Sequence, residues 1–471
     1  MIPLTLTEVA AAVGGRLADA ADPLVAITGG VEFDSRRVGP GDLFVALRGD
    51  RVDGHRYAAA AVAAGAAGVL AASPVGVPAV LVADVQEALG RLATAVLARL
   101  PAVTVVGVTG SSGKTSTKDL LAQLLGRLGP TVAPPGSFNN ELGHPYTVLR
   151  ADAATRYLVL ENSARGIGHI AALTAIARPR IGVVLNVGTA HVGEFGSQEA
   201  IATAKGELVE ALPAASDGGV AVLNADDPLV RAMAGRTTAR VVLTGLAADA
   251  DVRATDVVLD ERGRPAYRLV TASGAAAVRL PLAGAHQVPN SLAAAAVAIE
   301  LGMPVTEVAA ALAEVRTLSR WRMEVTERPD GVTVVNDAYN ANPESMRAAL
   351  AALAAMGRGR RRWAVLGQMA ELGEQSRGEH EAVGRLVAGL GVDRLVVVGP
   401  DAASLRAGAA AQPSWEGESV QVADVAAAVD LLRRELRRGD VVLIKASRSV
   451  GLERVARALM PQLDITAEER S

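Results

Sequence analysis

The segment Thr109-Gly110-Ser111-Ser112-Gly113-Lys114-Thr115 follows an apolar, β-branched run from Val103 to Val108 and leads into an amphipathic stretch. A loop of that make-up is a cradle for nucleotide phosphates. Glycines let backbone N–H groups converge on phosphate oxygens, a lysine neutralises charge, and a hydroxyl at a helix N-terminus holds Mg²⁺. The common form of the loop places a glycine five residues before Gly113, where this chain carries Val108 and has its glycines at Gly107 and Gly110 instead. The residues thus describe an ATP site with an unusual glycine spacing.

Two more apolar runs end in residues useful to a metal–phosphate site: Arg156 to Leu160 leads to Glu161, and Ile181 to Val187 leads to His191. In a parallel sheet the carboxyl ends of all strands share one edge, so Thr115, Glu161 and His191 can meet there despite their separation in sequence. Thr115 would hold nucleotide-bound Mg²⁺, with Glu161 and His191 as further ligands. Ile201 to Glu207 begins a helical stretch in which Lys205 and Glu207 flank a glycine, a pattern that an ion-rich surface turn also explains. Asn290, four residues after His286 and just before the alanine-rich helix Ser291 to Leu301, fits an N-cap and equally an amide that reads a base. After the apolar run that begins at Val332 come Asn336, Asp337, Tyr339, Asn340 and Asn342, more polar groups than one turn requires. Nearer the start, Asp34, Ser35 and Arg36 set a hydroxyl beside a basic pair, as an exposed charge cluster would too.

These residues need a scaffold that alternates strands and helices, and the chain supplies one. Apolar strand-like runs alternate with Ala/Leu-rich helical segments almost throughout, which predicts an α/β protein with largely parallel sheets. At 471 residues there is room for about three domains. A first block runs to about Leu100, Pro101 introduces the phosphate-loop strand, a second block extends to about Val315, and a third opens near Trp321. Half the residues are hydrophobic but only 3% aromatic, so the cores must be built from Ala, Val and Leu. With no cysteine, disulfides, thiolate catalysis and cysteine–zinc sites are excluded, and a reducing cytoplasm fits. A net charge of −3 gives no footprint for nucleic acid. The first residues lack the basic and apolar regions of a signal peptide, so no export is expected. Tyr57 to Ala83 is uncharged, yet its prolines and glycines predict a helix-turn-strand unit rather than a membrane span. No Gly-x-Gly-x-x-Gly follows a strand, which argues against a nicotinamide-dependent dehydrogenase.

Together the strings resemble the Mur ligase family, cytoplasmic amide-forming enzymes of bacterial cell-wall synthesis, over essentially the whole chain. The phosphate loop, Glu161, Asn186 to His191, Ala204-Lys205-Gly206-Glu207 and Trp321-Arg322-Met323-Glu324 stand in the family's order. Gly136 to Gly143, with Asn139 and Asn140, and Asn336 to Pro343 are similar to the branch that adds D-alanyl-D-alanine to UDP-N-acetylmuramoyl-tripeptide. The Asp-Asn-Pro-Arg string of the branch that adds the third amino acid is absent. The resemblance implies three domains: a small α/β domain (1–101) for the UDP-sugar-peptide, a central P-loop-type, mostly parallel ATPase domain (102–315), and a C-terminal Rossmann-like domain (316–471) that closes and admits the dipeptide. It implies ATP and Mg²⁺, a monomer, no membrane insertion, Lys114 on the phosphates, and Thr115, Glu161 and His191 on metal. Lys114, Lys205 and His191 would form the catalytic set, with Lys205 carbamylated to hold a second Mg²⁺. His286 and Asn290 would lie near adenine, Arg322 on phosphate and Asp337 on ribose. Asp34, Ser35 and Arg36 would meet the uridine nucleotide, and Asn139, Asn140, Tyr339, Asn340 and Asn342 the remaining substrate. Asn162, Ser163 and Gln368 depart from the family's usual residues. Another carboxylate–amine ligase of the same superfamily is the alternative.

Overall fold

The computed structural model describes residues 1–49, 52–189 and 192–460. Three α/β units follow one another, each built on its own sheet. In the first, strands 31–32, 43–45, 68–71 and 79–81 run parallel, and 16–18 closes the edge antiparallel. The uncharged stretch from Tyr57 resolves into the helix Ala58–Ala63 and the strands Gly68–Ala71 and Ala79–Leu81, as its glycines and prolines predict. Among the described residues no helix is long and apolar enough to cross a membrane.

The central sheet has nine strands, in the order 131–132, 157–161, 104–109, 181–184, 220–224, 240–245, 252–259, 265–271, 274–279. The first seven pair in parallel, and the last two are antiparallel additions. Thr104–Thr109 lies between Tyr157–Glu161 and Ile181–Val184, so the chain leaves it first to one side and then to the other. Such a switch in direction opens a crevice at the carboxyl ends of the strands. The phosphate loop emerges there. Val and Leu dominate these strands because both faces are covered by helices.

The third unit carries six strands, in the order 324–327, 333–336, 441–445, 362–366, 394–398, 418–422, all parallel except the first. Its connection to the central unit differs from that of the first. Buried residues of the first unit such as Leu6, Val9, Leu89 and Leu92 share one apolar core with Val105, Val148, Leu158 and Leu160 of the central unit. The third unit instead meets the phosphate-loop edge through polar side chains.

Candidate active site

Strand Thr104–Thr109 ends in Thr109, whose hydroxyl donates to the Asn162 carbonyl at 2.9 Å and fixes where the loop departs. Gly110 and Ser111 carry the turn. The Ser111 hydroxyl accepts from Gly188 N at 2.9 Å, and Ser112 N donates to Asn186 Oδ1 at 2.9 Å, so the segment after strand Ile181–Val184 braces the loop twice. Gly113 has φ 82°, and a Cβ there would lie 2.5 Å from Asn290 Oδ1. Only glycine allows both that backbone and that approach. The helix Lys114–Gly126 starts directly after it, with its first N–H groups facing the cleft.

Lys114 Nζ donates to the Gly110 carbonyl at 2.7 Å. Burial pushes its ammonium below the ordinary lysine range, the Glu161 carboxylate pulls it back up, and Arg322 pushes it down again. An anion bound in the loop would restore the charged form. The Thr115 hydroxyl sits 3.2 Å from both oxygens of Glu161 and 2.7 Å from the Ser137 hydroxyl. Asn139 Nδ2 donates to Glu161 Oε1 at 2.8 Å, and the Ser163 hydroxyl holds the Asn139 carbonyl at 2.8 Å. Of the departures from the family's residues, Ser163 thus ties the end of strand Tyr157–Glu161 to the Asn139 loop through its side chain, whereas Asn162 contributes its backbone carbonyl and its Oδ1 is buried without a partner.

From the third unit, Arg322 Nη2 approaches the Thr115 and Ser137 hydroxyls, each at 3.3 Å, while its guanidinium lies 4.2 Å above the Tyr339 ring. Its Nε is buried without a partner. The flanking Trp321 and Met323 have φ of 60° and 49°, and this left-handed backbone turns Arg322 toward the central unit. Asn342 caps the helix Pro343–Met356 through Ser345 N and also donates to the Ser111 carbonyl at 3.3 Å. Lys114, Thr115, Asn139, Glu161, Arg322, Tyr339, Asn340 and Asn342 thus line one cavity of about 310 Å³.

A second cavity adjoins it across Ser112, Gly113 and Arg322, and is lined by His286, Asn290, Asp337 and Lys445. The helix here is Gln287–Glu300, so Asn290 lies in its first turn and is not the N-cap. Pro289 sits at the third position of the helix, where the missing N–H costs nothing, and the helix starts earlier than the alanine run indicates. Asn290 Nδ2 donates to Gln287 Oε1 at 3.2 Å, which leaves its carbonyl against Gly113. His286 is pushed toward the neutral form by burial, and its Nδ1 is without a partner.

Asp337 pairs with Lys445 Nζ at 2.6 Å and accepts from Met323 N at 3.1 Å. Lys445 also donates to the Asn340 carbonyl at 2.8 Å. Sequence reasoning assigned Lys445 no role, although its place at the end of the apolar strand Val441–Lys445 marked it. Glu344 was missed as well: its Oε1 accepts from Thr189 N at 2.7 Å and from the Thr189 hydroxyl at 2.9 Å, a contact between units that no local pattern announces.

Other expected site residues lie elsewhere. His191 is outside the described residues. Lys205 is not on a surface turn: it is buried in the helix Gln198–Glu210, and burial, reinforced by the Lys114 charge, pushes its amine well below the usual lysine range. Glu207, also buried, accepts from Gly168 N and Ala171 N at the start of helix His169–Ile176. Asn140 Oδ1 accepts from Gly143 N at 2.9 Å, local turn work outside both cavities. Asp34, Ser35 and Arg36 also stand apart from both cavities; Asp34 binds the Arg36 guanidinium at 2.6 Å, and that hydrogen bond holds its carboxyl down at about 2.

Whether the cleft suits nucleotide and Mg²⁺ can be judged from its donors. Among the described residues no group of three carboxylate or imidazole ligands gathers. One hydroxyl and one carboxylate at a helix N-terminus suit an ion that keeps waters and phosphate oxygens as its other ligands, as Mg²⁺ does. The glycine cradle and the unpartnered Arg322 Nε suit an anion beside it. The residues fit the group.

Comparison with known proteins agrees. Three family models match in succession: Mur ligase family, catalytic domain, over residues 28–105; Mur ligase middle domain over 108–298; and Mur ligase, glutamate ligase domain, over 321–448. The UDP-N-acetylmuramoyl-tripeptide--D-alanyl-D-alanine ligase of Mycobacterium tuberculosis (strain ATCC 25618 / H37Rv) is 54% identical, over 98% of each chain. Its Escherichia coli (strain K12) counterpart is 35% identical over 98% of this chain and 99% of that one. A crystal structure of MurF from Acinetobacter baumannii superposes with a TM-score of 0.87 at 31% identity, covering 97% of this chain and 99% of the other. MurF ligase from Thermotoga maritima in complex with ADP gives 0.78 at 32% identity, over 92% and 97%. The phosphate loop, the facing Asn-rich segment and these likenesses along the whole chain place this protein in the Mur ligase family.

Proposed function

We propose that this chain is an ATP-dependent amide ligase that joins D-alanyl-D-alanine to UDP-N-acetylmuramoyl-tripeptide, releasing ADP and phosphate, in the cytoplasmic synthesis of peptidoglycan precursors. The observation that carries the reading is the single cleft in which Lys114, Thr115 and Glu161 face Arg322, Tyr339, Asn340 and Asn342. One wall suits phosphoryl transfer and the other suits a peptide.

In the reaction, the terminal carboxylate of the tripeptide attacks the γ-phosphorus and ADP leaves, giving an acyl phosphate. The dipeptide amine then adds to that carbonyl, and the tetrahedral adduct expels phosphate. Mg²⁺ bound beside the loop supplies charge neutralisation on the phosphates. The residues to hold it are Thr115, Glu161 and His191, with Lys205 for a second ion. Lys205 is suited to carbamylation because burial favours its neutral amine, the form that adds to CO₂. Lys114 and Arg322 place positive charge where phosphoryl transfer needs it, and positioning is most of the catalysis such a transfer requires. Asn290 and His286 would meet the base, and Asp337, held by Lys445, the ribose. Asn139, Tyr339, Asn340 and Asn342 would orient the peptides. An acyl phosphate is lost to water in an open cleft, so the Arg322 and Glu344 contacts serve to keep the cleft closed during the reaction.

The first unit (1–101), through Asp34, Ser35 and Arg36, would bind the uridine end, 102–315 would bind ATP, and 316–471 would close. One chain supplies both walls, which supports a monomer. The test is phosphate release with each substrate omitted in turn: release that requires both UDP-N-acetylmuramoyl-tripeptide and D-alanyl-D-alanine supports the ligase. Release with ATP alone would instead mark an ATP-driven switch, and release with a free amino acid as acceptor a different ligase of the superfamily.

A further inference from the structure

The helix that begins at the phosphate loop carries a buried ion pair the mechanism does not use. Lys118 and Asp119 are 2% and 4% exposed, with Nζ 2.5 Å from Oδ1. Lys118 also donates to the Pro134 carbonyl at 3.0 Å and to the Ser319 hydroxyl at 3.2 Å, so its three donors are all used. Asp119 in turn accepts from Ser319 N at 2.9 Å and from the Ser319 hydroxyl at 3.1 Å. A buried pair seldom adds net stability over apolar residues of similar volume, so stability alone does not account for it.

Its partners are informative. Pro134 stands three residues before Ser137, and Ser319 stands three residues before Arg322; both downstream side chains converge on the Thr115 hydroxyl. The linker from the central to the third unit follows the same helix further. Gln123 Nε2 donates to the Arg316 carbonyl and its Oε1 accepts from Arg316 N, each at 3.0 Å, and Arg127 pairs with Glu314. Thr115, Asp119, Gln123 and Arg127 are spaced four apart, one stripe along the helix, and each meets a successive linker residue: Arg322, Ser319, Arg316 and Glu314. The linker therefore lies antiparallel on the phosphate-loop helix in a fixed register.

We propose that Lys118, Asp119 and Gln123 are positioning residues for the ligation, holding the linker on the phosphate-loop helix in the register that brings Arg322 to the phosphates. This rests on the proposed role of Arg322 there. A slip along the stripe would move Arg322 off Thr115 while leaving the loop's own groups in place.

The test uses the full chain in two variants and one control, Ser319→Thr: the variants are Lys118→Met/Asp119→Leu, which replaces the pair by apolar volume, and Gln123→Ala/Ser319→Ala, which removes linker contacts and leaves the pair. Thermal unfolding, ADP binding by calorimetry, and kcat and KM for amide formation are measured on each. The expected result for Lys118→Met/Asp119→Leu is retained folding and ADP binding with kcat lowered about 10- to 100-fold, the loss a misplacement of roughly an ångström produces. The second variant should show a smaller loss of the same kind, and Ser319→Thr, which keeps the hydroxyl and the N–H, should turn over like the parent. If the first variant does not fold, the second decides. A folded variant of either kind with parental kcat overturns the inference. A parent chain that makes no amide overturns the functional reading instead.

Discussion

The central unit meets its two neighbours across seams of opposite character. Toward the first unit the seam is a shared apolar core, with Leu89, Leu92, Val148 and Leu158 all fully buried. Toward the third unit it is polar, made at the cleft by Arg322 on Thr115, Asn342 on Ser111 and Glu344 on Thr189. Apolar burial is lost in full when a seam opens, whereas polar groups can exchange their partners for water at small net cost. The first seam therefore holds its two units together as one body, and the second is the one whose contacts can part and re-form at small cost. Every residue proposed for catalysis lies on the central unit or at the polar seam.

Substitutions on either side of this contrast should separate binding, stability and closure. The largest effect is expected inside the cleft: Lys114→Ala should lower amide formation by at least about 10³-fold in steady-state assays, with both seams unchanged in thermal unfolding. Next, Leu92→Ala should cost about 2–5 kcal/mol in denaturant unfolding while the kcat of the folded enzyme stays near parental, because the apolar seam supports and does not react. Lys205→Ala should lower kcat about 10- to 100-fold and regain part of it with added short carboxylic acids, which can replace a carbamate. Full activity without them would exclude the carbamate role.

The apolar seam should also respond to acid. His144, on the helix Gly143–Val148 that contributes Val148 to this core, is fully buried with neither ring nitrogen partnered, and burial pushes its pKa down to about 3. The unfolded chain regains the ordinary value near 6.5, so between those limits the unfolded state binds more protons and stability falls as pH falls. The slope from this residue is about 1.4 kcal/mol per pH unit. His144→Leu should flatten the unfolding profile below about pH 6.5. The smallest effect belongs to the polar seam: Glu344→Gln weakens the charge-assisted bonds to Thr189 and should slow turnover by no more than about 10-fold, with unfolding shifted by about 1 kcal/mol or less. A larger loss of stability than for Leu92→Ala would reverse the assignment of the two seams.

What could be read in the sequence follows the same division. The phosphate loop, Glu161 and the strand alternation were legible because glycine spacing, β-branched runs and polar strand ends are local signals. Asn290 lines the second cavity, but its place in the helix was not legible, since Pro289 hides a helix start in what reads as a turn. For Lys205 the residues alone left a surface turn open beside the helical start, because burial by distant strands leaves no mark on its neighbours in sequence. Lys445, Glu344 and the Lys118–Asp119 pair were not assigned for the same reason: their partners lie 108, 155 and 200 residues away along the chain. Charged residues on apolar strands and helices were the signal available, and their partners belonged to other units.

The central claim is that this cleft couples ATP cleavage to amide formation through an acyl phosphate. A heavy oxygen isotope placed in the terminal carboxylate of UDP-N-acetylmuramoyl-tripeptide tests it most directly, with the released phosphate analysed by mass spectrometry after reaction with ATP and D-alanyl-D-alanine. The account predicts one labelled oxygen in each phosphate released per amide formed. Phosphate without label, alongside normal amide product, would contradict it.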